Sequence, residues 1–114
     1  MTGDAATILI VEDEPPIRKL LRTTLNAHDY RTHEASTGAE ALTVLRHHRP
    51  DLVLLDLGLP DIDGLALIGE IRKQSPVPVV VLSSRGDEQA KVTALDSGAD
   101  DYVTKPFGAE ELLA

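Results

Sequence analysis

Short runs of apolar residues divide the chain at regular intervals. Strong runs lie at residues 8–11, 52–55 and 77–82, and weaker ones at residues 30–35 and 101–104. The strong runs are continuous rather than alternating, which is typical of strands buried on both faces of a parallel sheet. Successive runs start about 22 to 25 residues apart, the length of one strand plus a crossover helix. The pattern therefore predicts five parallel strands connected by helices.

The segments between these runs have the spacing of amphipathic helices. The predicted buried face of the first helix consists of Ile17, Leu20, Leu21, Thr24 and Leu25. The second helix begins at Thr37, which forms a capping box with Glu40, and ends at His48. The apolar face of the third helix consists of Leu65, Ile68 and Ile71. The fourth covers residues 87–97 and ends at Gly98, a left-handed cap.

Five such units predict one α/β domain with the (βα)5, flavodoxin-like fold. Right-handed crossovers on both faces give a doubly wound sheet with strand order 2-1-3-4-5. A fifth helix begins at residue 110, and the chain stops at residue 114 before completing it. The order makes the first and third strands neighbours, so the residues that follow them meet at the point where such sheets place their ligand sites.

Composition and charge exclude several classes of protein. The net charge is −8 with the acids in clusters, and such a surface repels nucleic acid phosphates, so we expect this segment not to bind DNA. The absence of cysteine excludes disulfides and thiolate chemistry. No apolar run approaches the roughly 20 residues of a membrane span, and residues 1–7 lack the features of a signal peptide. We therefore expect a cytoplasmic protein without a membrane partner.

Three carboxylates follow the first and third predicted strands. Glu12 and Asp13 come directly after residues 8–11, and Asp56 comes directly after residues 52–55. Like charges so close repel, so the arrangement favours a bound cation. Oxygen ligands without cysteine or histidine select Mg²⁺ or Mn²⁺ over zinc or copper. Acids before a helix can also merely offset its dipole, which would explain Glu12 and Asp13 but not Asp56.

Polar groups of a complementary kind follow two further strands. Ser83 and Ser84 come after residues 77–82, and their hydroxyl groups can donate to a phosphate oxygen. Lys105 follows the fifth strand and supplies a compact, mobile cation. Taken singly, such serines are usually helix caps and such a lysine is usually solvated. Together with the three acids, they indicate a site for Mg²⁺ and a phosphoryl group at one edge of the sheet.

These residues belong to four segments, which are Glu12-Asp13, residues 54–61 (LLDLGLPD) with Asp63-Gly64, Val81-Leu82-Ser83, and residues 98–107 (GADDYVTKPF). In this combination the whole chain resembles the CheY-like receiver domain of bacterial two-component response regulators. Residues 100–102 and 105–107 resemble the OmpR/PhoB subfamily. Residues 57–61, with Ser83, look most like its member that controls a potassium-transport operon.

The resemblance implies a role for each matching residue. Asp56 would accept a phosphoryl group from a phosphohistidine of a sensor histidine kinase. Mg²⁺ would be held by Asp13, Asp56 and the backbone carbonyl of Gly58, and by Glu12 directly or through water. Lys105 would pair with the phosphoryl group. The domain would be a signalling switch that promotes its own phosphorylation and slow dephosphorylation, not a conventional enzyme.

The resemblance also implies how the signal leaves the domain. Ser83 would shift toward the phosphoryl group and Tyr102 would move inward. The fourth helix, fifth strand and fifth helix would then form a homodimer through Lys91, Val92, Leu95, Asp100, Asp101, Glu110, Glu111 and Leu112. Basic partners of Asp100 and Asp101 would come from later in the fifth helix. An effector domain expected after residue 114 would bind the DNA.

Two other functions stay open. A phosphatase or phosphotransferase of the haloacid dehalogenase type needs a second acid two residues after its nucleophile, where this chain has Gly58. A flavodoxin-like nucleotide binder needs a Ser/Thr- or Gly-rich phosphate loop after the first strand, where this chain has residues 12–14 (EDE). Turnover of external phosphate esters would favour the first, and a bound flavin would favour the second.

Overall fold

Five parallel strands form one sheet. They are β1 (Thr7–Val11), β2 (Arg31–Ala35), β3 (Leu52–Asp56), β4 (Val79–Ser83) and β5 (Asp101–Thr104). The computed structural model describes residues 6–56, 59–83 and 88–104. In it the strand order is β2-β1-β3-β4-β5, and each neighbouring pair is parallel. The predicted strand order is confirmed, while the predicted fifth helix lies outside the described residues.

Helices cover both faces of the sheet. They are α1 (Pro15–Ala27), α2 (Gly38–His48), α3 (Gly64–Gln74) and α4 (Glu88–Asp96). Leu9 and Val11 of β1 belong to a core packed by α2 and α3, whereas Ile8 and Ile10 belong to a second core packed by α1. Alternate strand residues thus face opposite layers, as the continuous apolar runs predict. None of these helices, in the described part of the chain, is long and apolar enough to cross a membrane.

Two helix ends use the predicted cap residues. Thr37 Oγ1 accepts a hydrogen bond from Glu40 N (3.1 Å) and so starts α2. The Glu40 carboxylate accepts from Ser36 N (2.7 Å), one residue before the position expected for a capping box. Gly98, with a φ of 118°, follows α4, and the chain there folds back onto the last helical turn in a Schellman motif. The left-handed cap is confirmed.

The buried face of α1 is narrower than predicted. Leu21 and Leu25 are buried and Ile17 is partly buried, all against the second core. Leu20, which we expected in this face, is 58% exposed. It lies about 100° around the helix from Leu21, beyond the stripe that reaches the sheet.

The start of β4 also differs from the prediction. The strand begins at Val79, two residues after the start of its apolar run. Pro78 has no N–H group to donate to a neighbouring strand. Its carbonyl accepts a hydrogen bond from Val53 N (2.9 Å). Pro78 therefore contributes an acceptor but no donor to the pairing of β4 with its neighbours.

Candidate functional site

The carboxyl ends of β1 and β3 bring three carboxylates together. The two strands are paired with Val11 opposite Leu55, so the acids that follow or end them meet at one edge of the sheet. Carboxylate oxygens of Glu12, Asp13 and Asp56 all lie within 4.8 Å of one another. Glu12 is 1% exposed and Asp56 is 8% exposed. The predicted cluster therefore exists, and two of its members are buried.

This set of oxygen atoms fits a hard divalent cation. Buried carboxylates at such distances repel one another unless positive charge offsets them. Asp13 is only partly buried, which leaves one side of the cluster open to water ligands. Glu12 Oε2 accepts from Glu14 N (3.3 Å), so the following loop orients that carboxylate. Oxygen-only donors with an open side match Mg²⁺ or Mn²⁺ and not zinc or copper.

Arg18 of α1 binds the loop that carries Glu12 and Asp13, and Arg22 binds the same acid of β2 as Arg18 does. Arg18 Nη1 donates to the backbone carbonyl of Glu12 (2.9 Å), and Arg18 Nε donates to Glu34 of β2 (3.1 Å). Arg22 Nη1 binds the other oxygen of Glu34 (3.0 Å). The bond to the Glu12 carbonyl ties the loop to α1 and brings the positive charge of Arg18 near the acids. The sequence did not reveal these contacts, because an i, i+4 pair of arginines shows only that both share one helix face.

Two acids in the loop after β3 cap helices. Asp63 Oδ1 accepts from Leu65 N (3.3 Å) at the start of α3. The Asp61 carboxylate accepts from Gly38 N (2.8 Å) and Ala39 N (3.1 Å) at the start of α2. These backbone hydrogen bonds, that of Gly38 foremost, lower the pKa of Asp61 below its ordinary value of 3.8. The sequence showed an acidic loop but not which helices its side chains reach.

The remaining predicted site residues are only partly described. Those outside the described residues are Gly58, Ser84, Lys105, Glu110, Glu111 and Leu112. Ser83 ends β4, where the preceding Leu82 pairs with Asp56. Thr104 ends β5 and pairs with Ser83. The backbone therefore carries Ser83, and the residue before Lys105, to the same edge of the sheet as the acids.

The predicted switch and dimer residues differ in exposure. Tyr102 is 7% exposed and belongs to the core packed by α2 and α3, so its ring lies inward in the described conformation. Val92 and Leu95 of α4 are exposed apolar residues. Lys91 and Asp101 are exposed as well. The described part of the predicted dimer surface thus has an apolar pair flanked by charges of both signs.

Asp100 has a basic partner that we did not predict. Its Oδ2 atom lies 2.7 Å from Arg72 Nη2 of α3 and accepts a second hydrogen bond from Val79 N (2.8 Å). We expected its partner later in the fifth helix. That expectation stays a prediction, and the structure adds to it that the carboxylate is bound by a cation and a backbone N–H of its own domain.

Replacing Asp13 by asparagine should have opposite effects on stability with and without metal. In EDTA the variant should be more stable than the wild type by about 1–3 kcal/mol, because one of three clustered charges is removed. In millimolar Mg²⁺ the wild type should gain stability by mass action and the variant should gain less. Urea unfolding under both conditions measures this. Glu14→Gln removes an exposed charge one residue away, and an equal effect there would contradict a local cluster.

Comparisons with known proteins identify the family of this chain. Residues 8–114 match the response regulator receiver domain. The transcriptional regulatory protein KdpE of Mycobacterium tuberculosis and the KDP operon transcriptional regulatory protein KdpE of Escherichia coli are each 52% identical over 107 residues, 94% of this chain. The chain spans 47% and 48% of these relatives, about half their length.

Solved structures give the same result. A putative response regulator from Chloroflexus aurantiacus superposes with a TM-score of 0.91 at 34% identity, over 96% of this chain and 93% of that one. The BeF3-activated N-terminal receiver domain of Klebsiella pneumoniae RstA gives 0.90 at 36% identity, over 94% and 92%. The resemblance indicated by the sequence motifs, including that to the potassium-operon regulator, is confirmed. The chain belongs to the response regulator receiver domain family.

Proposed function

We propose that this domain is a phosphorylation-controlled switch with Asp56 as its phosphoryl acceptor. Asp56 is a buried carboxylate at the end of β3, and it lies at the same edge of the sheet as Glu12 and Asp13. This position is the main support for the proposed role. Receiver domains act as signalling switches and bind Mg²⁺ at such an acidic pocket. Here the ion would be held by the three acids and by the backbone carbonyl of Gly58.

The chemistry requires positioning more than covalent help. An Asp56 oxygen attacks the phosphorus atom in line, the bond from phosphorus to the kinase histidine breaks, and an acyl phosphate forms. Bound Mg²⁺ supplies positive charge to the oxygens of the transferring group. Lys105 supplies a second cation and Ser83 a hydroxyl donor. Later attack by water on phosphorus returns the carboxylate and releases phosphate, which resets the switch.

The output would pass through the surface of α4, β5 and the helix that follows. Exposed Val92 and Leu95 would form the apolar centre of a homodimer, with Lys91 and Asp101 at its margin. Ser83 and Tyr102 would couple this surface to the phosphoryl group. Asp100 would lie at the same margin, with its Oδ2 atom bound to Arg72 of its own domain.

The whole protein would be a cytoplasmic transcription regulator. The KdpE relatives are about twice as long as this chain and are named as transcriptional regulators. A DNA-binding effector domain following this one would account for the extra length. The 52% identity to KdpE proteins supports control of a potassium-transport operon as the regulated function.

Phosphorylation by a small donor tests the central claim. Incubation with acetyl phosphate and Mg²⁺ should add one acid-stable, base-labile phosphoryl group per chain, and EDTA should prevent the reaction. Intact-protein mass spectrometry measures the product. A chain that hydrolyses external phosphate esters catalytically and never retains the group would instead be a phosphatase, and one that copurifies with flavin would be a nucleotide binder.

A further inference from the structure

The loop after Asp56 is tied to the start of α2 by two hydrogen bonds. Asp61 Oδ1 accepts from Gly38 N at 2.8 Å, and Asp61 Oδ2 accepts from Ala39 N at 3.1 Å. These N–H groups belong to the first turn of α2, where no helix carbonyl is available to them. One carboxylate therefore joins the loop after β3 to the start of α2, whose Gly38 and Ala39 lie 23 and 22 residues before Asp61 in the sequence.

At the same junction, Ile62 lies so close to Gly38 that a larger side chain does not fit at position 38. Gly38 is buried, and a Cβ atom added there would overlap the Cγ2 atom of Ile62. Ile62 also packs against the core between the sheet and α2 and α3. The loop is thus held by its carboxylate on one side and by the close approach of an isoleucine to a glycine on the other.

Asp61 complements the N-cap of α2 from outside the helix. The N-cap residue Thr37 accepts from Glu40 N, while Asp61, 23 residues after Gly38, accepts from the two preceding N–H groups. Asp63 caps α3 from the same loop, so that helix does not use Asp61. The hydrogen bonds from Gly38 and Ala39 lower the pKa of Asp61, which means that they favour its ionised form. The contact is thus a charge-assisted link between the loop and α2.

We infer that Asp61 is a positioning residue for phosphoryl transfer to Asp56. Only residues 57–60 separate the two aspartates, and among them is Gly58, whose carbonyl is a proposed Mg²⁺ ligand. The contacts of Asp61 and Ile62 therefore anchor the chain only five residues after the acceptor in the sequence. A reaction that depends on in-line geometry is sensitive to displacement of this loop, even by a group that does not touch the reacting atoms. This inference rests on the proposed function.

The test compares rates of labelling by acetyl phosphate at saturating Mg²⁺, per folded molecule. Asp61→Ala, which loses both hydrogen bonds, should lower the rate about tenfold. Asp61→Asn should lower it less, because its amide oxygen can still accept one bond. Asp63→Ala is the matched control, since it removes a charge and a helix cap from the same loop but leaves α2 untouched. Its rate should stay close to that of the wild type.

The contact between Gly38 and Ile62 allows a second test, in which one substitution should compensate for another. Gly38→Ala should slow labelling, because the added methyl group displaces Ile62, and the double variant Gly38→Ala/Ile62→Ala should recover part of the rate. A wild-type rate in Asp61→Ala, or an equal loss in Asp63→Ala, would overturn the inference and leave the proposed function intact. A wild-type chain that takes no label under any condition would overturn the proposed function and this inference with it.

Discussion

Replacing Asp56 by asparagine should abolish Mg²⁺-dependent labelling by acetyl phosphate. Asparagine has almost the same shape, but its amide oxygen is a poor nucleophile and carries no charge to bind the cation. Because Asp56 is 8% exposed and close to two other acids, the variant should fold and should be no less stable in EDTA. A complete loss of label would therefore report chemistry and not unfolding.

Asp51 provides a matched control at the opposite end of β3. Its carboxylate accepts from Thr7 N (2.7 Å), far along the strand from the acidic cluster. Asp51→Asn makes the same change of charge at the other end of β3, and this variant should be labelled as the wild type is. Label that persists in Asp56→Asn would move the acceptor to another acid, for which Glu12 and Asp13 are the candidates.

Patterns within short segments were sufficient to predict most of the fold. Strands buried on both faces are continuous apolar runs, and helices between them repeat every three to four residues, so element type and order follow from local sequence. The acids were predictable for a related reason. Parallel strands end at one edge of the sheet, so knowing that the first and third are neighbours brings Glu12, Asp13 and Asp56 together.

Contacts between distant side chains were not predictable in this way. The sequence contains Asp61 and Gly38, but no local pattern shows that a loop carboxylate reaches the first turn of a helix 23 residues earlier. Arg72 and Asp100 are a similar case, 28 residues apart. For Leu20 the local pattern predicted burial that the structure does not show. Its spacing suited a buried face, but α1 packs against the sheet through a narrower stripe and Leu20 is exposed. The roles of Lys105 and Gly58 stay predictions, because both lie outside the described residues.

Loss of Arg72 should strongly reduce the stability of the domain, because its guanidinium group joins three segments. Its Nε atom donates to the carbonyl of Gly98 (2.9 Å), which follows α4. Its Nη1 atom donates to the carbonyls of Ser75 and Val77 (3.3 and 2.5 Å), which connect α3 to β4. Its Nη2 atom binds Asp100 at the start of β5 (2.7 Å). The side chain is only 25% exposed, so water cannot easily replace all of these bonds.

Arg72→Ala should therefore destabilise the domain by about 2–4 kcal/mol, since it leaves partly buried carbonyls and one carboxylate without their charged donor. A domain of this size has roughly 5–15 kcal/mol in total, and each kcal/mol lowers the Tm by about 4 °C. Arg72→Lys should recover little, because an ammonium group cannot span the same acceptors as the planar guanidinium.

Lys73 is the control for this prediction, as the next residue of α3 and an exposed cation paired with Glu70 at 3.3 Å. Lys73→Ala should change the free energy of unfolding by less than about 0.5 kcal/mol. Urea unfolding of the three variants separates a general loss of positive charge, which would affect both positions alike, from the loss of one organised contact. If Arg72→Ala proved as mild as Lys73→Ala, the guanidinium group would not be an organising contact of the domain.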